Sequence, residues 1–211
     1  MKTSVLVIGL GRFGAAAARE LMALGHEVLA VDASETVVNE VAAEVTHAVQ
    51  LDAADESALR AIGAGDFQHA IVAISSGVEA SIFAVMGLKQ LGVPNVVAKA
   101  GSHIHGVILE RVGADRVVFA EREMGQRVAH SFAIADVVDY LDVAPRFGLV
   151  KVRSSERWIG RALGDLAVGL TPVALRRGDA VTVNPVLEER IRVGDELILI
   201  GKDDLLERLG L

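Results

Sequence analysis

Cysteine is absent from the 211-residue sequence. That excludes disulfides, thiolate–zinc sites and cysteine nucleophiles, and it suits a reducing compartment such as the cytosol. Aromatic residues are scarce, at 4% of the chain with one Trp and one Tyr. No apolar run approaches the roughly 18 residues that a membrane-spanning helix needs. The formal net charge is −7 and no basic stripe stands out, which argues against nucleic acid as a partner. The opening MKTSVLVIGLGRFG does not read as a signal peptide, because its apolar run is short and breaks into glycines with no cleavage pattern. A GxxxxGK[ST] loop is missing, so phosphate hydrolysis of the P-loop kind is not expected. Neither repeats of solenoid period nor low-complexity tracts occur.

What is present is apolar and glycine-rich. Hydrophobic residues make up 52%, charged residues 23%, and there are 21 glycines. This mix suits an aliphatic core crossed by many tight strand–helix turns. Short Val/Ile/Ala runs at residues 4–9, 27–32, 47–50, 70–74, 95–99 and 116–119 read as strands covered on both faces. Helical stretches alternate with them at 13–24, 35–45, 56–62, 78–91, 104–112 and 122–132. Gly25, Gly63, Gly92 and Gly113 sit just past four of these helices, and Ser34 and Asp55 are placed as N-caps. Six βα units in succession predict an α/β fold with a doubly wound parallel Rossmann sheet over residues 1–132.

Beyond residue 132 the rhythm changes. Residues 133–148 hold Asp136, Asp139, Asp142 and Pro145 and read as a connecting helix and linker. Residues 149–211 read as a small α+β module, with a short helical stretch at 160–166 and strands at 149–152, 171–176, 180–183 and 196–201. A module of this size is marginal alone, so it is expected to dimerise or dock.

The most specific motif is Gly9-Leu10-Gly11-Arg12-Phe13-Gly14, placed between a strand and a helix. In such a loop the first glycine permits the turn, the second lets a phosphate approach the backbone, and the third lets the helix pack on the strand. The helix N-terminus then offers N–H groups and a partial positive charge to the phosphate. Asp32 ends the second strand, where a carboxylate accepts both ribose hydroxyls and repels a 2′-phosphate, which disfavours NADP. Ala33 and Ser34 follow it. A guanidinium at Arg12 can reach further phosphate oxygens and so favour ADP or ATP over NAD or NADH. The plainer alternative, a solvated arginine, opposes the helix dipole at that position.

Ligands of open α/β sheets lie beyond the carboxyl ends of the strands. Asp52 and Ala53 follow the third strand, on the adenine side. Ile74, Ser75 and Ser76 end the fourth, Lys99, Ala100 and Gly101 the fifth, and Glu121 follows the sixth. Asp52 and Ser75 equally suit turns and caps, Lys99 a solvated position, and Glu121 the complement of a helix dipole. Glu121 is otherwise a candidate ligand for a divalent cation held between nucleotide phosphates or subunits. His103 and His105 lack the spacing of a metal pair, but His105 remains a candidate ligand contact. His26, His47, His69 and His130 read as ordinary packing or surface residues.

The strings GLGRFG, LGHEVLAVD, THAVQLDAADESALRAIG, IVAIS, KQLGVPNVVAKA and LERVGADRVVFAEREMG together resemble the regulator-of-potassium-conductance (RCK) family, through about residues 2–132. The likeness is strongest to regulatory subunits of Ktr/Trk-type bacterial potassium uptake. GDELILIG at residues 194–201 is similar to that family's C-terminal module. The resemblance implies a cytosolic protein, peripheral to the inner face of the membrane through a potassium-translocating subunit. It implies homodimers that assemble into a homo-octameric ring. It further implies that ATP, ADP or NAD(H) compete for the Rossmann cleft and shift the ring's conformation. Arg12 then matches an arginine on the neighbouring subunit's nucleotide phosphates, Asp32 the ribose-binding acid, and Glu121 a cation-binding glutamate. Lys99 and His105 match further cleft positions. Some relatives bind cyclic di-AMP at a C-terminal dimer interface, which corresponds to the stretch around Asn184 and Pro185. At Leu51, where relatives often carry glycine, this chain departs from the pattern, which implies a narrower adenine pocket.

Two other readings share the glycine loop. An NAD-dependent oxidoreductase needs a substrate domain with a placed acid or base. The tail has no His or Cys, and its only lysines are Lys151 and Lys202. A nucleotide-responsive transcription factor needs a basic recognition helix, which the acidic balance argues against.

Overall fold

The computed structural model describes residues 3–74, 77–133 and 136–210. The chain divides into two compact units, Met1–Glu121 and Arg122–Leu211. Among the described residues no helix is long and apolar enough to cross a membrane.

The first unit alternates strand and helix. Its strands are β1 (Ser4–Ile8), β2 (Glu27–Asp32), β3 (His47–Gln50), β4 (His69–Val72), β5 (Asn95–Lys99) and β6 (Arg116–Val118). They form one parallel sheet in the order β3-β2-β1-β4-β5-β6. Because side chains alternate along a strand, β1 feeds two cores. Val5 and Val7 join one apolar cluster with Val28, Ala30 and Val38, while Leu6 and Ile8 join another with Leu59, Val72 and Leu88. The helices that cover the sheet are α1 (Arg12–Ala23), α2 (Glu35–Val41), α3 (Glu56–Ala61), α4 (Val78–Gln90) and α5 (His103–Arg111), and α6 (Ala120–Ala133) follows β6. The doubly wound parallel sheet expected from the sequence is therefore present, with element ends within a few residues of those read from the pattern.

Local signals set the helix ends. The Ser34 hydroxyl accepts the Val37 N–H and the Asp55 carboxylate accepts the Ser57 N–H, so both residues cap as expected. Gly25, Gly63, Gly92 and Gly113 all take positive φ just past their helices. The strand order reverses between β1 and β4, and that switch point opens a crevice at the strands' carboxyl ends.

In the second unit five strands form an antiparallel sheet in the order β10-β9-β11-β8-β7. They are β7 (Val137–Ala144), β8 (Phe147–Arg153), β9 (Thr171–Arg177), β10 (Ala180–Val183) and β11 (Glu196–Lys202), with short helices α7 (Leu163–Leu166) and α8 (Asp203–Glu207). Val150, Val152, Leu197 and Leu199 alternate inward and meet Trp158, Leu163, Ile191 and Leu206. Asp195 is fully buried, and Arg177 holds it with two hydrogen bonds of 2.9 and 2.8 Å.

The sequence reading of residues 133–148 as connecting helix and linker is corrected here. α6 runs on to Ala133, and most of the rest is strand β7, which pairs with β8 as a hairpin. Of the aspartates that suggested a linker, Asp139 and Asp142 belong to an edge strand, where charge is common, and Asp136 forms the turn before it. Asp139 takes a bidentate hydrogen-bond pair from Arg127, and Asp142 accepts from the Tyr140 hydroxyl. Tyr140 is buried, its ring stacked on His130 at 4.0 Å between centroids, and its hydroxyl also donates to Asp203 at 2.9 Å. Burial, then the carboxylates, push its phenol above the ordinary tyrosine range.

The Tyr140 ring lies against Gly148, where an added methyl would stand 2.6 Å from ring atoms. Gly148→Ala is therefore expected to destabilise the second unit by about 1–3 kcal/mol through overpacking. Chemical denaturation checks this; an unchanged midpoint would show that the ring can retreat.

Candidate functional site

The turn from β1 into α1 is governed by contact distances. Gly9 has φ +88, and a Cβ there would stand 2.8 Å from the Ala73 carbonyl carbon and the Ile74 nitrogen. A Cβ at Gly14 would stand only 1.8 Å from the Gly9 carbonyl oxygen. These two glycines are demanded by the chain's own packing. Gly11 is different: a Cβ there would meet nothing within 4 Å. Nothing in this chain requires glycine at residue 11, and the space beside it is the cleft itself.

The cleft has a volume of about 530 Å³, within the range of small-molecule sites. Gly9 and Gly11 line it from the first turn, Asp32, Ala33, Ser34 and Val37 from the second, and Leu51, Asp52 and Ala53 from the third. Ala73, Ile74, Gly77 and Ala80 line it beside β4 and the start of α4. Two helix N-termini adjoin it without side-chain caps, at Gly11 for α1 and Gly77 for α4, and the first turn of α1 carries no acid. Their first-turn N–H groups lack intrahelical partners, so that edge of the cleft is electropositive and rich in donors.

Asp32 faces this edge. Its Oδ2 accepts the Leu10 N–H at 2.7 Å and its Oδ1 accepts the Ser34 N–H at 2.9 Å. Each oxygen keeps a lone pair, enough for two hydroxyl donors. The carboxylate thus ties the glycine loop to β2 while presenting acceptors to the cleft. Asp52 closes a turn by accepting the Ala54 N–H at 3.0 Å. Leu51, half-buried, lines the cleft as its position implied.

The remaining described candidates are not among the residues that line this cleft. Lys99, buried to 7% exposure at the end of β5, pairs with Glu121 at 2.6 Å and lies 5.9 Å from the Phe13 ring centroid. The Lys99 hydrogen bond, with a smaller contribution from Arg12, holds the Glu121 carboxyl below the usual glutamate range. Arg12, Phe13, Lys99 and Glu121 thus form a cluster of their own. Among the described residues no three His, Asp or Glu side chains converge as a metal centre. Ala100 is buried, its N–H donating to the Val118 carbonyl in line with the sheet. Ser75 and Ser76 lie outside the described residues. Asn184 follows β10 at φ 49, and the neighbouring Pro185 is buried.

His105 is buried, and both its ring nitrogens are used within the chain. Nδ1 accepts the Gly101 N–H at 3.3 Å, and Nε2 stands 2.8 Å from the Ser81 hydroxyl, which donates to the Val78 carbonyl. That assigns the neutral ring with its proton on Nε2. It acts as a tie between α4, α5 and the β5 loop.

Ile8, Val37, Ala73, Gly77 and Ala80 also line the cleft, and the sequence motifs did not single them out. Only the small residues bracketing the start of α4 could have signalled the last two.

A doubly wound sheet with an open glycine at the first strand turn and an acid ending the second strand defines a Rossmann-type nucleotide-binding domain. The TrkA-N domain profile matches residues 5–120 and the TrkA-C domain profile residues 148–210. Ktr system potassium uptake protein C of Bacillus subtilis (strain 168) is 41% identical over 205 residues, covering 95% of this chain and 93% of that protein. Ktr system potassium uptake protein A of the same organism is 36% identical over 206 residues, covering 96% and 93%. The chain belongs to this TrkA-N/TrkA-C family of potassium uptake proteins. The GsuK RCK domain shares the fold at a TM-score of 0.70 and 16% identity, covering 100% of this chain and 47% of that one. The GsuK channel bound to NAD does so at 0.68 and 17%, covering 98% and 38%.

Burial holds the His105 pKa below its ordinary 6.5. As pH falls, the unfolded chain takes up this proton before the folded one. The stability His105 confers is complete above about pH 6.5 and is lost as pH falls through that value and below. Thermal unfolding between pH 7.5 and 5.5 is expected to show this slope. His105→Gln should lower stability at pH 7.5 and flatten the slope; an unaltered slope would place the titration elsewhere.

Proposed function

We propose that this chain is a cytosolic, nucleotide-sensing regulatory subunit that controls potassium uptake through a membrane Ktr/Trk-type translocating subunit. The observation that carries this reading is the near-full-length likeness to Ktr system potassium uptake proteins in a chain that keeps an open glycine cleft. An adenine nucleotide or NAD(H) fits that cleft with its phosphates on the α1 N-terminus, its ribose hydroxyls on Asp32, and its adenine between Leu51 and Ala53. No His, Lys or Tyr is among the described lining residues, and the two acids there, Asp32 and Asp52, already accept backbone N–H groups, which supports a binding role over turnover.

A ligand shifts a conformational equilibrium only through unequal affinity for the two states. Phosphate number supplies that inequality. ADP and ATP differ by one phosphate, and this reading assigns that phosphate to Arg12, at the first position of α1, within one chain or from a neighbour in a homodimer. A divalent cation at Glu121 would draw its other ligands from nucleotide phosphates or a second subunit, with Lys99 released from its ion pair. Homodimers assembling into an octameric ring under the membrane subunit, and cyclic di-AMP near Asn184 and Pro185, belong to the same reading.

Isothermal titration and solution scattering test it. ATP and ADP are both expected to bind and to give different scattering profiles; identical profiles would remove the switch. Arg12→Ala is expected to weaken ATP about tenfold more than NADH, the effect of losing a charged hydrogen bond to phosphate. Equal losses would mean that Arg12 does not distinguish phosphate number.

A further inference from the structure

The second unit contains a pocket of about 380 Å³ that shares no lining residue with the Rossmann cleft. It is walled by the 3-10 turn Glu156–Trp158, by α7, and by α8 with the turn Arg208–Gly210 that follows it. Its floor is apolar. Trp158, Leu170 and Leu209 are buried there, and Leu166 and Leu205 are half-buried. Its mouth is cationic, formed by Arg157, Arg161 and Arg208 with Asp165 as the one acid among the lining residues.

The three arginines are not equivalent. Arg157 is anchored: its Nη2 donates to the Leu209 carbonyl at 2.8 Å and its guanidinium lies 5.7 Å from the Trp158 ring centroid. Arg161 and Arg208 are exposed, and neither guanidinium has a hydrogen-bond or ion-pair partner among the described residues. Arg177 of the same unit, by contrast, takes both Asp195 and Glu189. Here two guanidinium groups stand unpaired at the rim of an apolar hole, even though Asp165 lines it too.

We propose that this pocket binds an amphipathic anion, a phosphate or carboxylate carried on a short aliphatic body. Guanidinium groups offer paired donors in the planar arrangement that oxyanions accept. The Leu and Trp floor takes the aliphatic part out of water, and the volume limits that part to a short chain. Neither half of the pocket suffices alone. A free inorganic anion leaves the floor wet, and an uncharged aliphatic leaves the guanidinium groups without a partner.

Calorimetric titration of the full chain with hexyl phosphate, hexanoate, inorganic phosphate and 1-hexanol tests this, and the first two compounds separate phosphate from carboxylate. Saturable binding of hexyl phosphate or hexanoate at one site per chain is expected, with inorganic phosphate and 1-hexanol both much weaker. The double substitution Arg161→Ala, Arg208→Ala is expected to cost about tenfold or more in affinity. Both side chains are exposed and unpaired, so thermal unfolding of that variant should match the parent. Gly11→Asp, which puts a carboxylate into the Rossmann cleft, should leave this binding intact. The proposal is overturned if no anion binds saturably, if 1-hexanol binds as tightly as hexyl phosphate, or if the double variant binds like the parent. It is equally overturned if Gly11→Asp abolishes the heat, because the probe then occupies the other cleft.

Discussion

The contact between Gly14 and the Gly9 carbonyl is the constraint on which the first unit's architecture turns. A methyl group at residue 14 would stand 1.8 Å from that oxygen, so α1 can lie this close to β1 only because residue 14 has no side chain. The close approach aims the α1 N-terminus at the carboxyl edge of the sheet. The first-turn N–H groups then face the crevice at the β1/β4 switch point, with Gly11 lining open space. Leu10, inside the same turn, gives its N–H to Asp32 on the neighbouring strand. Packing, dipole and carboxylate are therefore set by one backbone approach, and none of them is adjustable alone.

Asp32 shows how closely fold and site are joined. Its carboxylate holds the glycine loop and the start of the β2–α2 turn, and its spare lone pairs are what the cleft presents. A substitution there disturbs loop and ligand together, so a loss of binding in such a variant would not by itself separate the two roles. Gly11 separates them better, since its side-chain space is empty and its φ of −62 suits any residue.

Most of the Rossmann unit was legible in the sequence because its signals are local. Alternating Val/Ile runs, glycines just past helices, and the caps at Ser34 and Asp55 each act within a few residues. The polar and glycine residues of the cleft at the first three turns were legible for the same reason, whereas Val37 was not. β7 was hidden because aspartates at an edge strand look like those of a linker until their partners Arg127 and Tyr140 are known. His105 was hidden too: only packing reveals that both its nitrogens are taken. The Lys99–Glu121 pair joins residues from different strand ends, and no spacing rule announces it. Gly77 and Ala80 enter the cleft through the way α4 meets the sheet, which a linear pattern does not encode.

The placement of the two indicator chromophores has a further consequence. The chain's one Trp and one Tyr are Trp158 and Tyr140, both buried in the second unit. The Rossmann unit holds only phenylalanines, which do not absorb where tryptophan is selectively excited. Intrinsic emission therefore reports on the C-terminal unit alone. A spectral change on adding ADP or ATP, which do not absorb in the tryptophan emission region, to the glycine cleft would be an optical record of communication between the two halves, with no label attached.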